Sequence, residues 1–406
     1  MDEKKKQKKW VRFRHRVATK ILYVLLYAYT KIKYRIKIHG FKEQGKRQYL
    51  ILLNHQTAFD QFFVGMAFKG AVYYVTSEDL FSNGWVSSVI KYLVAPIPIR
   101  KQATDPRAVM NCIRVAKEGG TIAMAPEGNR TYSGKTEYMN PALAPLIKKL
   151  NLPIALFRIE GGYGAHPRWS DVVRKGKMRA YVSRVIEPEE YAALSPQELF
   201  SIIEKELYVN EANTDQSFYH KKNAEYLERA MYVCPYCGLS TFESHNDIIE
   251  CKKCGKKIRH LPSKELKGEG FDFPFRFVND WYDYQSDYIN KLDVNIYNEA
   301  PMYEDTVRFS EVIVYKKKKL LDKNAAVSLF GNRIEVQGKD GEKKVFSFDE
   351  VSAITVLGRN KVNVYIDKEI YQFKGDKRFN ALRYVNVYYR YKNIKKGDEH
   401  DKFLGL

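Results

Sequence analysis

No stretch of this sequence stays apolar long enough to cross a bilayer. The best candidate near the start, Ile21–Tyr27, falls well short of the ~20 residues a spanning helix needs. It is also a poor secretory signal, because its basic lead-in is long, it is rich in Tyr, and no small-residue cleavage site follows. Cysteine is sparse, five in 406 residues, which with no secretory signal argues against a disulfide scaffold. No long internal repeat is apparent, which sets aside repeat architectures. Acidic residues are in deficit: 48 Asp and Glu stand against 69 Lys and Arg, a net charge of +21. Such a balance serves solubility at least, and more sharply points to an anionic partner, either nucleic acid or an acidic membrane. What the chain does have is size and apolar material. Its 406 residues, 45% of them hydrophobic, suit two or three domains, and 30 Tyr with 22 Phe offer interfacial surface as well as core.

The position of the charge discriminates between partners. Much of the excess lies between Lys4 and Arg47, in KKKQKKWVRFRHR and KIKYRIK. A terminal block of like charge is usually a solvated tail, but this one is interrupted by Trp10, Phe13 and the Ile21–Tyr27 run. A basic helix with large apolar residues reads as lying in the headgroup layer, where an amphipathic helix and a polybasic patch together supply the two signals stable anchoring needs. The opposing reading is a first helix buried against the next domain. Nucleic acid is the runner-up explanation of the charge and is not the expected partner.

Residues 1–40 are thus a basic amphipathic membrane-associating segment, and residues 41–210 alternate short apolar runs with helical patterns. Strands are expected at Tyr49–Leu53, Ala71–Val75, Ile97–Ile99, Thr121–Ala125, Ile154–Ile159 and Met178–Ile186. Helices are expected at Asp60–Phe68, Trp85–Leu93, Pro106–Lys117, Ala142–Leu150 and Pro196–Tyr208. Asp105 before Pro106 is a helix cap with proline at the first position, and Gly119-Gly120 ends that helix. The alternation predicts an α/β domain with a mixed or parallel sheet flanked by helices.

Residues 228–262 hold four of the five cysteines. Cys234-Pro235-Tyr236-Cys237 and Cys251-Lys252-Lys253-Cys254 are two CxxC pairs, each followed by glycine. Four thiolates at this spacing make a closed tetrahedral Zn²⁺ site, a structural zinc ribbon; two disulfides or a redox pair are the alternatives. Cys112, inside the Pro106–Lys117 helix, is read as a buried small hydrophobe, and His245 and His260 as surface residues rather than ligands. Residues 263–322 read as a linker with an aromatic helix, in which Val278, Trp281, Tyr282, Gln285, Tyr288 and Ile289 form a core stripe. Residues 323–395 show short alternating strands (Val327–Phe330, Arg333–Val336, Lys344–Ser347, Ala353–Leu357, Lys361–Ile366, Glu369–Lys374) and a closing helix near Arg378–Tyr391. This order of elements resembles a small antiparallel β-barrel of pleckstrin-homology type.

Chemistry concentrates in the first domain. Asn54-His55-Gln56-Thr57-Ala58-Phe59-Asp60 sits where a strand ends and a helix begins. A carboxylate five positions after a histidine can fix the imidazole tautomer and stabilise the imidazolium. With no Ser or Cys nucleophile in the motif, the histidine would deprotonate a substrate hydroxyl directly; taken alone, such a pair is structural more often than catalytic. Past the strand Thr121–Ala125 comes Pro126-Glu127-Gly128-Asn129-Arg130-Thr131, where Gly128 allows close backbone approach and Arg130 offers a planar fork suited to an oxyanion or phosphate. Pro98-Ile99-Arg100 puts another arginine at a strand end, and Leu152-Pro153 leads into an apolar strand. Glu160–Trp169, rich in glycine and aromatics, is expected as a loop beside the site; its His166 is a rival base that lacks a carboxylate at comparable spacing.

These four motifs, in this order, resemble the glycerolipid acyltransferase family of 1-acyl-sn-glycerol-3-phosphate acyltransferase type. The family's His-x4-Asp block matches His55 and Asp60. Its Phe-Pro-Glu-Gly-Thr-Arg-Ser block is matched by Pro126, Glu127, Gly128, Arg130 and Thr131, with Ala125 for Phe and Asn129 for Thr. Arg100 ends the intermediate block, and Leu152-Pro153 approximates the family's Val-Pro. The resemblance implies catalysis by His55 and Asp60, and acceptor binding by Arg100, Glu127, Gly128, Arg130 and Thr131. It further implies an acyl-CoA or acyl-ACP donor, a lysophospholipid acceptor, and work on the cytoplasmic face of an anionic membrane as a peripheral or monotopic protein. Two other functions stay open from sequence: an acyltransferase acting on another lyso-glycolipid or an aminolipid, and a non-enzymatic zinc-ribbon binding protein.

Overall fold

The computed structural model describes residues 9–82, 84–99, 105–313, 318–339 and 341–397. Two compact units form from interleaved segments. Met1–Gly128, Thr136–Glu160 and Met178–Val209 make the first; Asn129–Lys135, Gly161–Lys177 and Asn210–Leu406 make the second.

In the first unit, helix α1 (Phe13–Tyr34) ends at Arg35, whose left-handed φ of 50° breaks the helix before β1 (Ile36–Ile38). Then come β2 (Leu50–Leu53), α2 (Asp60–Ala67), β3 (Val72–Ser77), α3 (Trp85–Leu93), β4 (Ile97–Ile99), α4 (Pro106–Lys117), β5 (Thr121–Met124), α5 (Leu143–Leu150) and β6 (Ile154–Glu160). After α6 (Gly162–Ala165), a single turn assigned to the second unit, β7 (Met178–Ile186), α7 (Pro188–Ala192) and α8 (Pro196–Leu207) complete it. The seven strands form one sheet in the order β1-β7-β6-β2-β5-β3-β4. Neighbours run parallel except β6 and β7, so the unit is mixed α/β, as the alternation predicts. Strand β2 is buried at all its positions, the continuous apolar run of a strand covered on both faces. Its Leu50 and Leu52 join Ile122, Ile154 and Leu156 in a core closed by Val115, Ile147, Leu199 and Ile203 from the helices. The start of α4 follows its sequence signals: the Asp105 carboxylate accepts from the Arg107 and Ala108 amides, and Gly119 takes φ +82° just past the end.

In the second unit, β8 (Val233–Cys234) and β9 (Gly238–Leu239) form a two-stranded knuckle. Strands β10 (Phe242–His245), β11 (Ile248–Cys251), β12 (Lys257–His260) and β13 (Leu266–Gly268) form an antiparallel sheet in sequence order. Helix α9 (Val278–Lys291) buries Val278, Trp281, Tyr282, Gln285 and Ile289, the expected core stripe. The Gln285 carboxamide oxygen accepts from the Tyr232 and Val233 amides and its NH2 donates to the Ala230 carbonyl, while the Trp281 indole donates to the Val233 carbonyl. Strands β14 (Tyr303–Glu311), β15 (Lys319–Leu329), β16 (Arg333–Gln337), β17 (Lys343–Ser347), β18 (Val351–Leu357), β19 (Lys361–Ile366) and β20 (Glu369–Lys374) form a curled antiparallel sheet, order β17-β16-β15-β14-β20-β19-β18. Helix α10 (Leu382–Lys396) packs against β18. It begins later than Arg378 because the Asp376 carboxylate caps a separate turn, accepting from the Arg378 and Phe379 amides.

Two expectations need correction here. The Glu160–Trp169 stretch, expected as a loop beside the site, is in part regular: Glu160 ends β6 and Gly162–Ala165 form α6, with Tyr163 and Trp169 buried in the second unit and Gly161 at φ +73° where a Cβ would lie 2.3 Å from the Lys177 carbonyl oxygen. His260 is not at the surface. It is 2% exposed, edge-on to Trp169, and burial holds its imidazole well below the usual histidine range. A period-2 strand end reads the same whether its last residue meets water or a second layer.

Candidate active site

Asn54 is the hinge between sheet and site. Its carboxamide donates to the Ile159 carbonyl and accepts from the Ile159 amide, both at 2.8 Å. That pair ties the end of β2 to β6 and fixes where the chain leaves the sheet. His55 comes next, and Asp60 is the first residue of α2. The His55 Nδ1 lies 2.8 Å from the Asp60 carboxylate. The same carboxylate accepts from the Gln56 amide at 2.7 Å, from the Thr57 amide at 2.9 Å, and from the Thr57 hydroxyl at 2.6 Å. Surrounded by donors, it acts as acceptor, so Nδ1 of His55 carries the proton and Nε2 is left as the basic nitrogen. The Asp60 side chain is 1% exposed and that of His55 26%: the orienting group is sealed and the working group faces outward. Gln56 and Thr57, absent from the sequence-derived candidates, are therefore part of the construction. Their signal was available, since a polar pair between the histidine and the helix start can satisfy an acid at a helix N-terminus.

Glu127 follows β5, the parallel neighbour of β2, so strand-end geometry brings it to His55. Its carboxylate accepts from the His55 amide at 2.8 Å and from the Glu137 amide at 3.2 Å. Burial pushes its carboxyl up to about 8, against which the two amides pull. Gly128 follows at φ +67°, a conformation that explains glycine there, and is exposed. His55, Asp60, Glu127 and Gly128 thus lie in the first unit. Arg130 and Thr131 fall in the 129–135 segment of the second, and Arg100 lies outside the described residues. There the Arg168 guanidinium donates to the Arg130 carbonyl at 2.9 Å, while buried Thr131 accepts from the Gly134 amide at 2.9 Å. His166, the rival base, is 5% exposed and its Nε2 accepts from the Arg359 guanidinium at 2.7 Å, so that lone pair is engaged.

In the second unit Cys234, Cys237, Cys251 and Cys254 present four sulfurs all within 4.8 Å of one another. Cys234–Cys254 and Cys237–Cys251 are separated by 3.8 and 3.6 Å, much too far for disulfides at ~2.05 Å. A tetrahedron with Zn–S of about 2.3 Å has sulfur–sulfur edges of about 3.8 Å, and these thiols fit it. Gly238 and Gly255 take φ of 75° and 70° just after each pair, turning the chain around the sulfurs. Cys112 is buried, and burial pushes its thiol up to about 12.

Residues 35–158 match the protein family described as Acyltransferase, a stretch running from the end of α1 into β6 and containing His55, Asp60, Glu127 and Gly128. A 1-acyl-sn-glycerol-3-phosphate acyltransferase of Bacillus subtilis (strain 168) is 24% identical over 133 residues, 31% of this chain; the chain spans 60% of the length of that curated relative. The crystal structure of the 1-acyl-sn-glycerophosphate acyltransferase from Thermotoga maritima aligns over 47% of this chain and 74% of that one, at 21% identity and a TM-score of 0.38.

Proposed function

We propose that this chain is a membrane-surface O-acyltransferase. It would move a fatty acyl group from an acyl thioester, of coenzyme A or acyl carrier protein, to the free hydroxyl of a lysophospholipid, with 1-acylglycerol-3-phosphate as acceptor and phosphatidic acid as product. One observation carries this reading: a half-open His55 imidazole is held by a buried, fully hydrogen-bonded Asp60, inside the stretch that matches the acyltransferase family.

In this mechanism Nε2 of His55 takes the proton from the acceptor hydroxyl as its oxygen attacks the thioester carbonyl. The tetrahedral intermediate collapses, the C–S bond breaks, and the imidazolium returns its proton to the departing thiolate. General-base help of this kind contributes about 10²–10⁴-fold. Asp60 holds the tautomer. Glu127 acts through the His55 backbone as a positioning residue, Thr131 holds the turn that carries Arg130, and Arg130 with Arg100 and the Gly128 backbone grips the acceptor phosphate. Zinc on the four cysteines is structural, because the donor set leaves no coordination position open.

The membrane reading gains support from α1. Its buried positions are His15, Thr19, Thr30 and Tyr34, whereas Phe13, Val24, Leu25 and Ile32 are 77, 68, 70 and 79% exposed. A helix that turns polar residues inward and large apolar ones outward presents a face for lipid. Trp85 and Tyr92 of α3 are exposed beside it, with Arg14 lying 3.9 Å over the Tyr92 ring. Trp10 is spent differently: its indole donates to the Ala95 carbonyl and packs on the first unit's core. No helix among the described residues is long and apolar enough to cross a membrane; the contact proposed is peripheral or monotopic, on the cytoplasmic face. The test is an acyl-transfer assay with a panel of lyso-lipid acceptors and both thioester donors; no transfer from either donor to any acceptor would reject the reading.

A further inference from the structure

A cleft of about 340 Å³ opens in the second unit, away from the cysteine cluster, between the β18–β19 turn and the end of β20. Four cations line it, Arg229, Arg359, Lys374 and Lys377, against two carboxylates, Asp171 and Asp376. Both carboxylates are already engaged. Asp171 accepts from Arg229 at 2.7 Å and from Arg359 at 2.9 Å, and Asp376 from two backbone amides at 2.8 Å each. Four positive against two negative leave the lining at a net +2: Arg229 and Arg359 share the one charge of Asp171, and Lys374 and Lys377 stand with Asp376.

The strand register adds an independent observation. Lys374 stands directly opposite Arg308 on β14 and directly opposite Lys361 on β19. Paired residues of antiparallel strands point to the same face, and like charges so placed destabilise the sheet. Three cations thus stand abreast on three neighbouring strands, and the middle one, Lys374, lines the cleft. The frame is also built in advance. The Asn360 carboxamide donates to the Gly375 and Asp376 carbonyls at 3.0 and 2.6 Å, and the Gly375 amide donates back to the Asn360 carbonyl at 3.2 Å. Gly375 admits no side chain, since a Cβ would fall 2.2 Å from the Phe379 ring.

We propose that this cleft binds a phosphate monoester through Lys374 and Lys377, within the field of Arg359, Lys361 and Arg308. A monoester carries about −1.5 to −2 charges near neutral pH, which balances the net +2 of the lining, whereas a carboxylate or a phosphodiester brings only one. The site stands independently of the acyl-transfer reading, because no residue of the proposed catalytic machinery lines it.

Site-resolved amine labelling of the full chain tests it, and reads these two lysines apart from any phosphate held at the active site. Lys374 and Lys377 are labelled in buffer, with inorganic phosphate, with glycerol 3-phosphate, and with phosphatidylcholine vesicles containing either phosphatidic acid or phosphatidylserine at matched surface charge. Labelling at both lysines is expected to fall several-fold with a phosphate monoester, while Lys221 and Lys222 of the same unit are unchanged. Protection by the soluble phosphates identifies a free ester as the ligand; protection by phosphatidic acid vesicles alone identifies a lipid headgroup. Arg359→Gln should weaken the protection without abolishing labelling. Equal protection by phosphatidylserine vesicles, or none by any probe, overturns the proposal.

Discussion

At the scale of single residues, the account rests on which nitrogen of His55 carries the proton. Asp60 receives two backbone amides and the Thr57 hydroxyl besides the imidazole, so replacing it with Asn puts a donor among donors and frustrates the tautomer. His55→Ala and Asp60→Asn should each lower turnover by about 10²-fold or more, with an unchanged circular dichroism spectrum for His55→Ala. Near wild-type turnover in either would remove the assigned mechanism. Arg130→Ala should weaken a phosphate-bearing acceptor by about 1.5–3 kcal/mol and spare a neutral lyso-glycolipid; equal losses on both would assign the arginine to structure. Glu127 allows a different measurement. A carboxyl whose native value is about 8 instead of 4.5 favours the fold while protonated, so its contribution is full below about 4.5 and is lost as pH rises through about 8. The Tm of the wild type relative to Glu127→Gln should therefore decline between mildly acidic and mildly alkaline buffer. A difference that does not move with pH contradicts the buried, protonated carboxyl. The His-x4-Asp spacing was legible in the sequence because it is local. The Glu127–His55 contact was not, because it depends on two strands 72 residues apart being parallel neighbours.

At the scale of elements, most of the first unit could be read from period and punctuation. β4, β7, α3 and α4 lie at the residues their patterns predict, since Pro106, Gly119 and the apolar runs act over a few residues. Strand β1 escaped notice because Ile36-Lys37-Ile38 continues a basic helix without a break in composition; only the left-handed Arg35 separates them. Strand β14 was missed because its charged, alternating sequence resembles linker, and its register shifts at Val307 and Phe309 blur the period. The cysteine pairs were legible from spacing alone. Purified protein should contain about one zinc per chain, and chelation should loosen the second unit more than the first, because the folding energy from the metal is local. Metal-free protein with two disulfides would refute this. For α1, deleting the helix would also expose the surface under His15 and Thr30, so substitution is the cleaner probe. Leu25→Glu with Ile32→Glu should release the protein from anionic vesicles at high salt, where screening has already weakened the contribution of the basic residues. Retention equal to wild type would place the membrane contact elsewhere.

At the scale of the whole molecule, the chain's division was the least legible feature. Residues 129–135 and 161–177 cluster with the C-terminal unit although they interrupt the first unit's segments. Turns and glycine-rich connections carry no periodicity that assigns them to one core or another; Trp169 and Tyr163 looked like site decoration and are core. The family match stops at residue 158, so what the second unit contributes follows from its own chemistry: four clustered thiols and a basic cleft. The central claim, that the first unit transfers an acyl group to a lysolipid hydroxyl from the His55–Asp60 pair, is tested most directly by one measurement. Full-length protein is incubated with 1-acylglycerol-3-phosphate and either acyl-CoA or acyl-ACP, and phosphatidic acid and free thiol are quantified together for wild type and His55→Ala. The account predicts equal amounts of ester and thiol from the wild type with at least one donor, and almost none from the variant. Thiol release without ester, or ester formation that survives the loss of His55, would contradict it.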